Sequence, residues 1–291
     1  MEANWRAVFI TAIAPVAWGA TYFVTHLLLP SDTPLWGSAL RALPAALVLL
    51  LIARSRPHGM EWARTALLGI LNVGGFFLLV YLAAQLLPTS VAASIMAASP
   101  LVLALFAWAL AGQQPTARMF AGAAVGILGV LLLVAGGVGA IDGWGVAASV
   151  AGLVSSSLGY VLTKRWGATA SPVAASAWQL LFGGTLLLVV AILVEGPPPA
   201  LDAGGWLGVA YVTLIGTALA NVAWFYGLER LQAGTVGIIG LLNPVTGVLL
   251  GTALAGESLT VRQLVGMGLV GFMDDFTKIS KARRAMFWWC W

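Results

Sequence analysis

The sequence carries very little charge. Only 8% of its 291 residues are Asp, Glu, Lys or Arg, whereas 60% are hydrophobic. Soluble domains contain roughly 25% charged residues, so this chain could not cover a core of its own with polar surface. The composition excludes a water-soluble globular protein and predicts an integral membrane protein.

Cysteine and histidine are almost absent. The single cysteine, Cys290, excludes a disulfide framework within the chain. Two histidines and scattered acidic residues form no cluster of metal ligands, and no phosphate-binding GxxxxGK(S/T) motif is present. We therefore expect no metal, no cofactor and no direct coupling to ATP.

Long apolar runs dominate the sequence instead. Nine runs are long enough to cross a bilayer, which takes about 20 residues, and a tenth begins near Val261. The predicted spans are 7–29, 34–53, 63–87, 90–111, 117–136, 144–163, 172–194, 205–228 and 234–255. The short connections between them leave no room for an inserted soluble domain.

The basic residues indicate an orientation. If the N-terminus is cytoplasmic, every Lys and Arg outside the spans falls on the cytoplasmic side except Arg262. This bias follows the positive-inside rule, so we expect a multi-pass protein of the bacterial inner (cytoplasmic) membrane. The net charge of +4 is then a result of topology, and we expect the lipid bilayer and a small molecule as partners, with no nucleic acid.

The second half of the chain repeats the first. Residues 231–271, moved 144 positions upstream, fall on 87–127 without a gap, and Asn243-Pro244 falls on Ser99-Pro100. Arg41 matches Gln179 at an offset of 138. Five spans per half is an odd number, so equivalent helices run in opposite directions. The sequence thus predicts an all-α membrane protein of about ten helices in two inverted repeats, at 5–136 and 144–273, followed by a basic, Trp-rich tail at 274–291.

Several motifs resemble those of the EamA-type drug/metabolite transporters. They are Trp18-Gly19-Ala20-Thr21-Tyr22-Phe23, Leu40-Arg41-Ala42-Leu43, Ser99-Pro100, Asn243-Pro244 and Ala255-Gly256-Glu257-Ser258-Leu259-Thr260. The resemblance covers about residues 5–271 in two copies. It implies a ten-helix bundle with a central cavity that moves amino acids, metabolites or drugs, mostly outward.

The chain departs from the family pattern in two places. Gln113 stands where the first repeat usually has Glu, whereas Glu257 keeps it in the second, so the mechanism does not require a carboxylate in both halves. The tenth helix is expected to be cut short by Asp274-Asp275. That pair resembles the magnesium-binding motif of phospho-muramoyl-pentapeptide transferases, but over fewer than twenty residues.

Polar side chains inside the spans are the candidates for a substrate site, because hydrocarbon offers them no partner. They are Arg41, Asn72, Tyr160, Gln179, Asn221 and Asn243. Arg41 could bind a substrate carboxylate, hold a helix carbonyl end or extend to the membrane surface. Asn72 and Asn221 could bind a zwitterion or form hydrogen bonds between helices.

Two aromatic residues complete the candidate site. Trp18 and Trp224 fall deeper in the bilayer than the usual interfacial belt. They could stack on a flat or apolar substrate group, or simply pack the bundle.

Two prolines and one glycine motif concern the helices themselves. Pro100 and Pro244 remove backbone hydrogen bonds in equivalent helices, so we expect bends there. These bends could allow one set of helices to rock, or they could merely shape the bundle. Gly122 and Gly126 form a GxxxG motif, which would permit close helix packing within the monomer or in a homodimer.

These observations predict a secondary transporter that exports small metabolites, chiefly amino acids or related compounds, by alternating access and without enzymatic activity. Two alternatives stay open at this point. One is a membrane enzyme that uses Asp274, Asp275 and magnesium, and the other is a structural membrane protein without transport.

Overall fold

The computed structural model describes residues 5–53, 55–96, 98–112, 141–166, 171–231, 239–240 and 242–277, with a few isolated positions between 121 and 132. Within these ranges every regular element is a helix. Gln113, Gly122 and Gly126 lie outside the described residues, and so does the tail after Thr277.

The described residues of the first half form five helices, and the predicted span 117–136 lies mostly outside the described residues. The five helices are α1 (Trp5–Leu28), α2 (Pro34–Ile52), α3, α4 (Thr89–Met96) and α5 (Ser99–Ala111). Helix α3 is continuous but changes its winding: Glu61–Gly69 and Phe76–Leu86 are α-helical, and Ile70–Gly75 between them is π-helical.

The second half contributes five more described helices. They are α6 (Gly143–Trp166), α7 (Pro172–Val194), α8, α9 (Leu242–Ala253) and α10 (Val261–Thr277). Helix α8 also contains a π-helical segment, Tyr211–Leu219, between Ala203–Ala210 and Ala220–Arg230.

The surface of the bundle is apolar. Seven described stretches are long and apolar enough to cross a membrane, with α4 and α5 counted together. Leu51 and Leu193 expose 84% and 77% of their surface on these helices, as expected for side chains that face lipid. The predicted all-helical membrane protein is confirmed.

Helix starts follow the local sequence. Proline lies in the first turn of α2 and of α7, where no backbone N–H is needed for the helix. Ser171 accepts a hydrogen bond from the Ala174 N–H at 3.3 Å, and Asp202 accepts one from Gly205 at 2.7 Å. These capping bonds replace partners that the first turn lacks.

Helices α2 and α7, which are equivalent in the two repeats, pack antiparallel along their length. The Glu195 carboxylate after the end of α7 accepts hydrogen bonds from Leu35 and Trp36 at the start of α2, at 2.8 and 2.9 Å. At the other end, the Trp178 indole near the start of α7 donates to the Ser55 carbonyl, just after α2, at 3.1 Å. Opposite directions of equivalent helices confirm the predicted inverted repeat.

The packing of the other helices repeats with the halves exchanged. Helix α1 packs on α8 and α9, and its equivalent α6 packs on α3, α4 and α5. The two π-helical segments also correspond, since Ile70–Gly75 moved by 144 positions falls on residues 214–219, inside Tyr211–Leu219. The π-helical segment therefore occurs at the equivalent place in both repeats.

The structure shows more than a bend near Pro100. Helix α4 ends at Met96 and α5 begins at Ser99, so Pro100 occupies the first turn of a new helix. Pro244 lies in α9, close to the first of its described residues. Helix α10 is described from Val261 through Asp274 and Asp275 to Thr277, and the expectation of a shortened tenth helix stays a prediction.

Candidate substrate site

Arg41 is buried between three helices and does not extend to the membrane surface. Its Nε donates to the Thr217 Oγ1 on α8 at 2.9 Å, and its Nη2 donates to the Gly216 carbonyl at 3.4 Å. The guanidinium carbon lies 4.0 Å from the centre of the Phe77 ring on α3. Only 9% of Arg41 is exposed, so the guanidinium is fixed inside the bundle.

The π-helical segment of α8 supplies the partners of Arg41. Thr217 Oγ1 donates its proton to the Val212 carbonyl, five residues earlier, at 2.7 Å. Asn221 Nδ2 donates to the Thr217 carbonyl at 2.8 Å. The wider winding of a π-helix offers such five-residue bonds and is frequent at functional sites. Arg41 and Asn221 therefore bond to the same residue, Arg41 to the Thr217 side chain and Asn221 to its backbone carbonyl.

Asn72 and Gln179 form a second polar pair. Asn72 Nδ2 donates to Gln179 Oε1 at 2.8 Å, linking α3 to α7. Asn72 Oδ1 is buried and has no hydrogen-bond partner among the described residues. It lies directly against Gly159 on α6, where any side chain would overlap it. This pair joins three helices.

The two polar pairs are equivalent in the repeat. Arg41 corresponds to Gln179, and Asn72 moved by 144 positions falls on Gly216. Arg41 on α2 and Gln179 on α7 thus each bond to the π-helical segment of the opposite repeat. Once the Asn72–Gln179 bond is known, the two offsets together indicate Gly216 as the partner of Arg41.

Trp18 and Trp224 lie together between α1 and α8, with ring centres 5.3 Å apart and planes inclined by 56°. Trp224 is buried and Trp18 is half-buried. Asn221 and Trp224 are three residues apart on α8 and so share a face of the helix. The aromatic pair therefore continues the surface that carries Asn221.

Asn243 lies close to this pair, at the contact of α9 with α1. The Asn243 carbonyl lies against Gly19, beside Trp18, so closely that a side chain on Gly19 would overlap it. Asn243 Oδ1 is buried without a partner among the described residues. Tyr160 stands apart: it is 40% exposed on α6 and follows the Gly159 that packs on Asn72.

Three participants were missed by the sequence reasoning. Phe77 and Thr217 touch Arg41, and Gly216 offers it a carbonyl. Phenylalanine and threonine are ordinary residues of a transmembrane helix, and the π-helical winding that turns Thr217 towards α2 has no compositional signal.

The family-typical Glu257 belongs to the end of the bundle and not to this site. Its carboxylate accepts hydrogen bonds from Thr89 and Ser90 at the start of α4, at 2.6 and 3.1 Å from their backbone nitrogens. An anion at a helix N-terminus is stabilising. Glu257 thus ties the chain after α9 to α4, as Glu195 ties α7 to α2.

Inverted helical repeats with a binding site at their interface are the architecture of many secondary transporters. The model of the EamA-like transporter family matches residues 5–135 and again residues 143–272. The chain therefore belongs to the EamA-like transporter family, which is a family of transporters and not of enzymes.

Curated relatives agree with this assignment. The chain is 36% identical to protein PecM of Dickeya dadantii over 87% of this chain and 86% of PecM. It is 29% identical to the uncharacterized inner membrane transporter YedA of Escherichia coli, covering 91% of this chain and 88% of YedA. It is 28% identical to the threonine/homoserine exporter RhtA of E. coli, covering 90% and 87%.

A solved crystal structure shows the same fold. It covers 95% of this chain, and 97% of its own chain is matched, with a TM-score of 0.65 at 19% identity. At this identity the similarity concerns architecture alone.

Proposed function

We propose that this protein is a secondary transporter that exports small metabolites, chiefly amino acids or related compounds, by alternating access. The residues of the proposed site are carried by α1, α2, α3, α6, α7, α8 and α9. Its members are Trp18, Arg41, Asn72, Tyr160, Gln179, Asn221, Trp224 and Asn243, with Pro100 and Pro244 in the helices that move.

The observation that carries this proposal is the buried guanidinium of Arg41. It makes no ion pair with any residue that the structure describes, and the described acidic residues lie near helix ends or in loops. On insertion scales a charge inside a membrane span costs up to about 2.5–3.5 kcal/mol, the value at the bilayer centre. A substrate carboxylate would provide the missing counter-charge.

The neighbouring residues support a zwitterionic substrate. Amides such as Asn221 and Asn243 can donate and accept hydrogen bonds, and the aromatic pair Trp18–Trp224 offers an apolar surface beside them. The relative RhtA is named as an exporter of threonine and homoserine, which are substrates of this chemistry.

The location and orientation are also part of the proposal. YedA is named as an inner-membrane transporter, and the basic loops favour a cytoplasmic N-terminus. We place this chain in the cytoplasmic membrane in that orientation, with the carboxylates of Glu195 and Glu257 on the outer side.

Counterflow in proteoliposomes tests the proposal. Vesicles are preloaded with mixed unlabelled amino acids, and each labelled amino acid is offered outside in turn. We expect saturable uptake of one class by the wild type, and weaker uptake by Asn221→Ala. Thr185→Ala is the matched control, because Thr185 makes a similar bond to the carbonyl four residues earlier but is exposed on α7. Uptake no greater than in protein-free vesicles for every amino acid would refute the proposed substrate class.

A further inference from the structure

The guanidinium of Arg41 is bound by the protein along one edge only. Nε and Nη2 donate to Thr217 and Gly216, and these two nitrogens form one side of the planar fork. Among the residues that the structure describes, none accepts a hydrogen bond from Nη1. The edge made by Nη1 and the second hydrogen of Nη2 has the geometry that binds a carboxylate through two parallel bonds.

Thr217 can only accept a bond from Arg41. Its hydroxyl proton is already donated to the Val212 carbonyl at 2.7 Å, and a hydroxyl has a single proton. The guanidinium can only donate, and the bond to Val212 turns the Thr217 proton away from Arg41 so that a lone pair of the oxygen accepts. The Phe77 ring covers one face of the guanidinium, so rotation of the fork is restricted on two sides.

We propose that Thr217 is a positioning residue that holds Arg41 as a carboxylate receptor, and that transported substrates must carry a carboxylate group. This inference rests on the proposed function and deepens it, since it states which chemical group the site requires. Thr217 does not touch the substrate. It acts by keeping the free edge of Arg41 turned towards it.

A neighbouring threonine supplies a matched control. Thr213 lies in the same π-helical segment, is buried like Thr217, and donates from its hydroxyl to the Leu40 carbonyl on α2 at 3.0 Å. It links the same two helices but makes no described contact with the guanidinium. Thr213→Val and Thr217→Val therefore remove the same group from the same segment, and only Thr217→Val removes a partner of Arg41.

The test measures counterflow of one amino acid that the wild type carries, together with inhibition by its decarboxylated amine and its carboxamide. We expect the amine and the carboxamide to inhibit at least about tenfold more weakly than the amino acid, since they lack a charged acceptor. We expect Thr217→Val to raise the KM about tenfold with little change in maximal rate. Thr217→Ser should restore the KM, and Thr213→Val should leave it within about twofold of wild type.

Several results would overturn the inference. One is an equal KM for Thr217→Val and Thr213→Val, and another is inhibition by the amine as strong as by the amino acid. If Thr217→Val fails to insert into the membrane, the KM of Thr217→Ser and the inhibition series on the wild type still test the inference. If the wild type carries no amino acid, the proposed function fails, and thermal unfolding of the purified protein with amino acids, their amines and simple monocarboxylates decides the inference. Stabilisation by the carboxylates alone would support it, and an equal or absent effect would refute it.

Discussion

Arg41 and Gln179 occupy equivalent places in the two inverted repeats, and each bonds to the π-helical segment of the opposite repeat. Arg41 contacts Gly216 and Thr217, and Gln179 contacts Asn72. One of these equivalent sites therefore carries a positive charge and the other is neutral. Substitutions at Arg41 can therefore test the effect of its charge separately from its role in packing the helices.

Arg41→Gln would give both sites the same side chain. We expect the KM for a transported amino acid to rise at least tenfold, because a bidentate ion pair is replaced by a neutral contact. Arg41→Lys keeps the charge but loses the planar fork, so it should fall between Arg41→Gln and wild type. Counterflow with labelled amino acid measures both variants, and an unchanged KM in Arg41→Gln would rule out recognition by charge.

Gly159→Ala should destabilise the protein through overlap with Asn72. A methyl group at residue 159 would overlap the Asn72 amide, and overpacking of this kind costs about 1–3 kcal/mol. Gly152→Ala on the same helix is the control, since its added carbon would meet Leu79 at 3.4 Å, an ordinary contact. Thermal unfolding in detergent should show a lower midpoint for Gly159→Ala only. Adding Asn72→Ala should recover part of that loss, and if it recovers nothing, the overlap is not the cause.

Glu257→Gln should weaken the tie between the end of α9 and the start of α4. The carboxylate accepts two backbone hydrogen bonds there. A Gln side chain has only one acceptor oxygen, and its NH2 group would face a backbone N–H. We expect a loss of about 0.5–2 kcal/mol, which is the range for lost helix caps. Asp32→Asn serves as the control, because Asp32 is an exposed loop residue. Equal unfolding midpoints for the two variants would show that the Glu257 contact contributes nothing.

Trp224→Ala should alter the choice among substrates. Trp224 and Trp18 form the apolar surface beside Asn221, so its loss should raise the KM for amino acids with large apolar side chains more than for small ones. Trp144→Ala is the control, since Trp144 is 79% exposed at the start of α6. Competition by leucine and by glycine against one labelled substrate measures the effect. A parallel change for both competitors would mean that the pair only packs the bundle.

The repeat made most of the fold predictable from the sequence. The offset that placed Asn243-Pro244 on Ser99-Pro100, together with an odd number of spans per half, predicted antiparallel equivalents, and the antiparallel packing of α2 on α7 confirms them. The same offsets related Arg41 to Gln179. These inferences succeeded because the length of the apolar runs and the internal repeat can be read directly from the sequence.

Other features had no signal in the sequence. The π-helical winding depends on how a segment packs, and it determines that Thr217 contacts Arg41. Glu257 was noticed as a family-typical residue, but its partners Thr89 and Ser90 lie 168 and 167 residues away in the chain. The break before Pro100 exceeded the expected bend, because helix α4 ends at Met96, before the proline.

The unequal polar pairs have a consequence for the kinetics of this carrier. Arg41 lies nearer the end of the bundle where α2 begins, and Gln179 lies nearer the end where α7 begins. Two identical halves would give the same half-saturation constant on both faces of the membrane, whereas these halves differ by one charge. We expect the two faces to differ in half-saturation constant. Without an energy source, the maximal rates in the two directions must then differ in the same proportion, so we expect a carrier whose two faces are kinetically distinct.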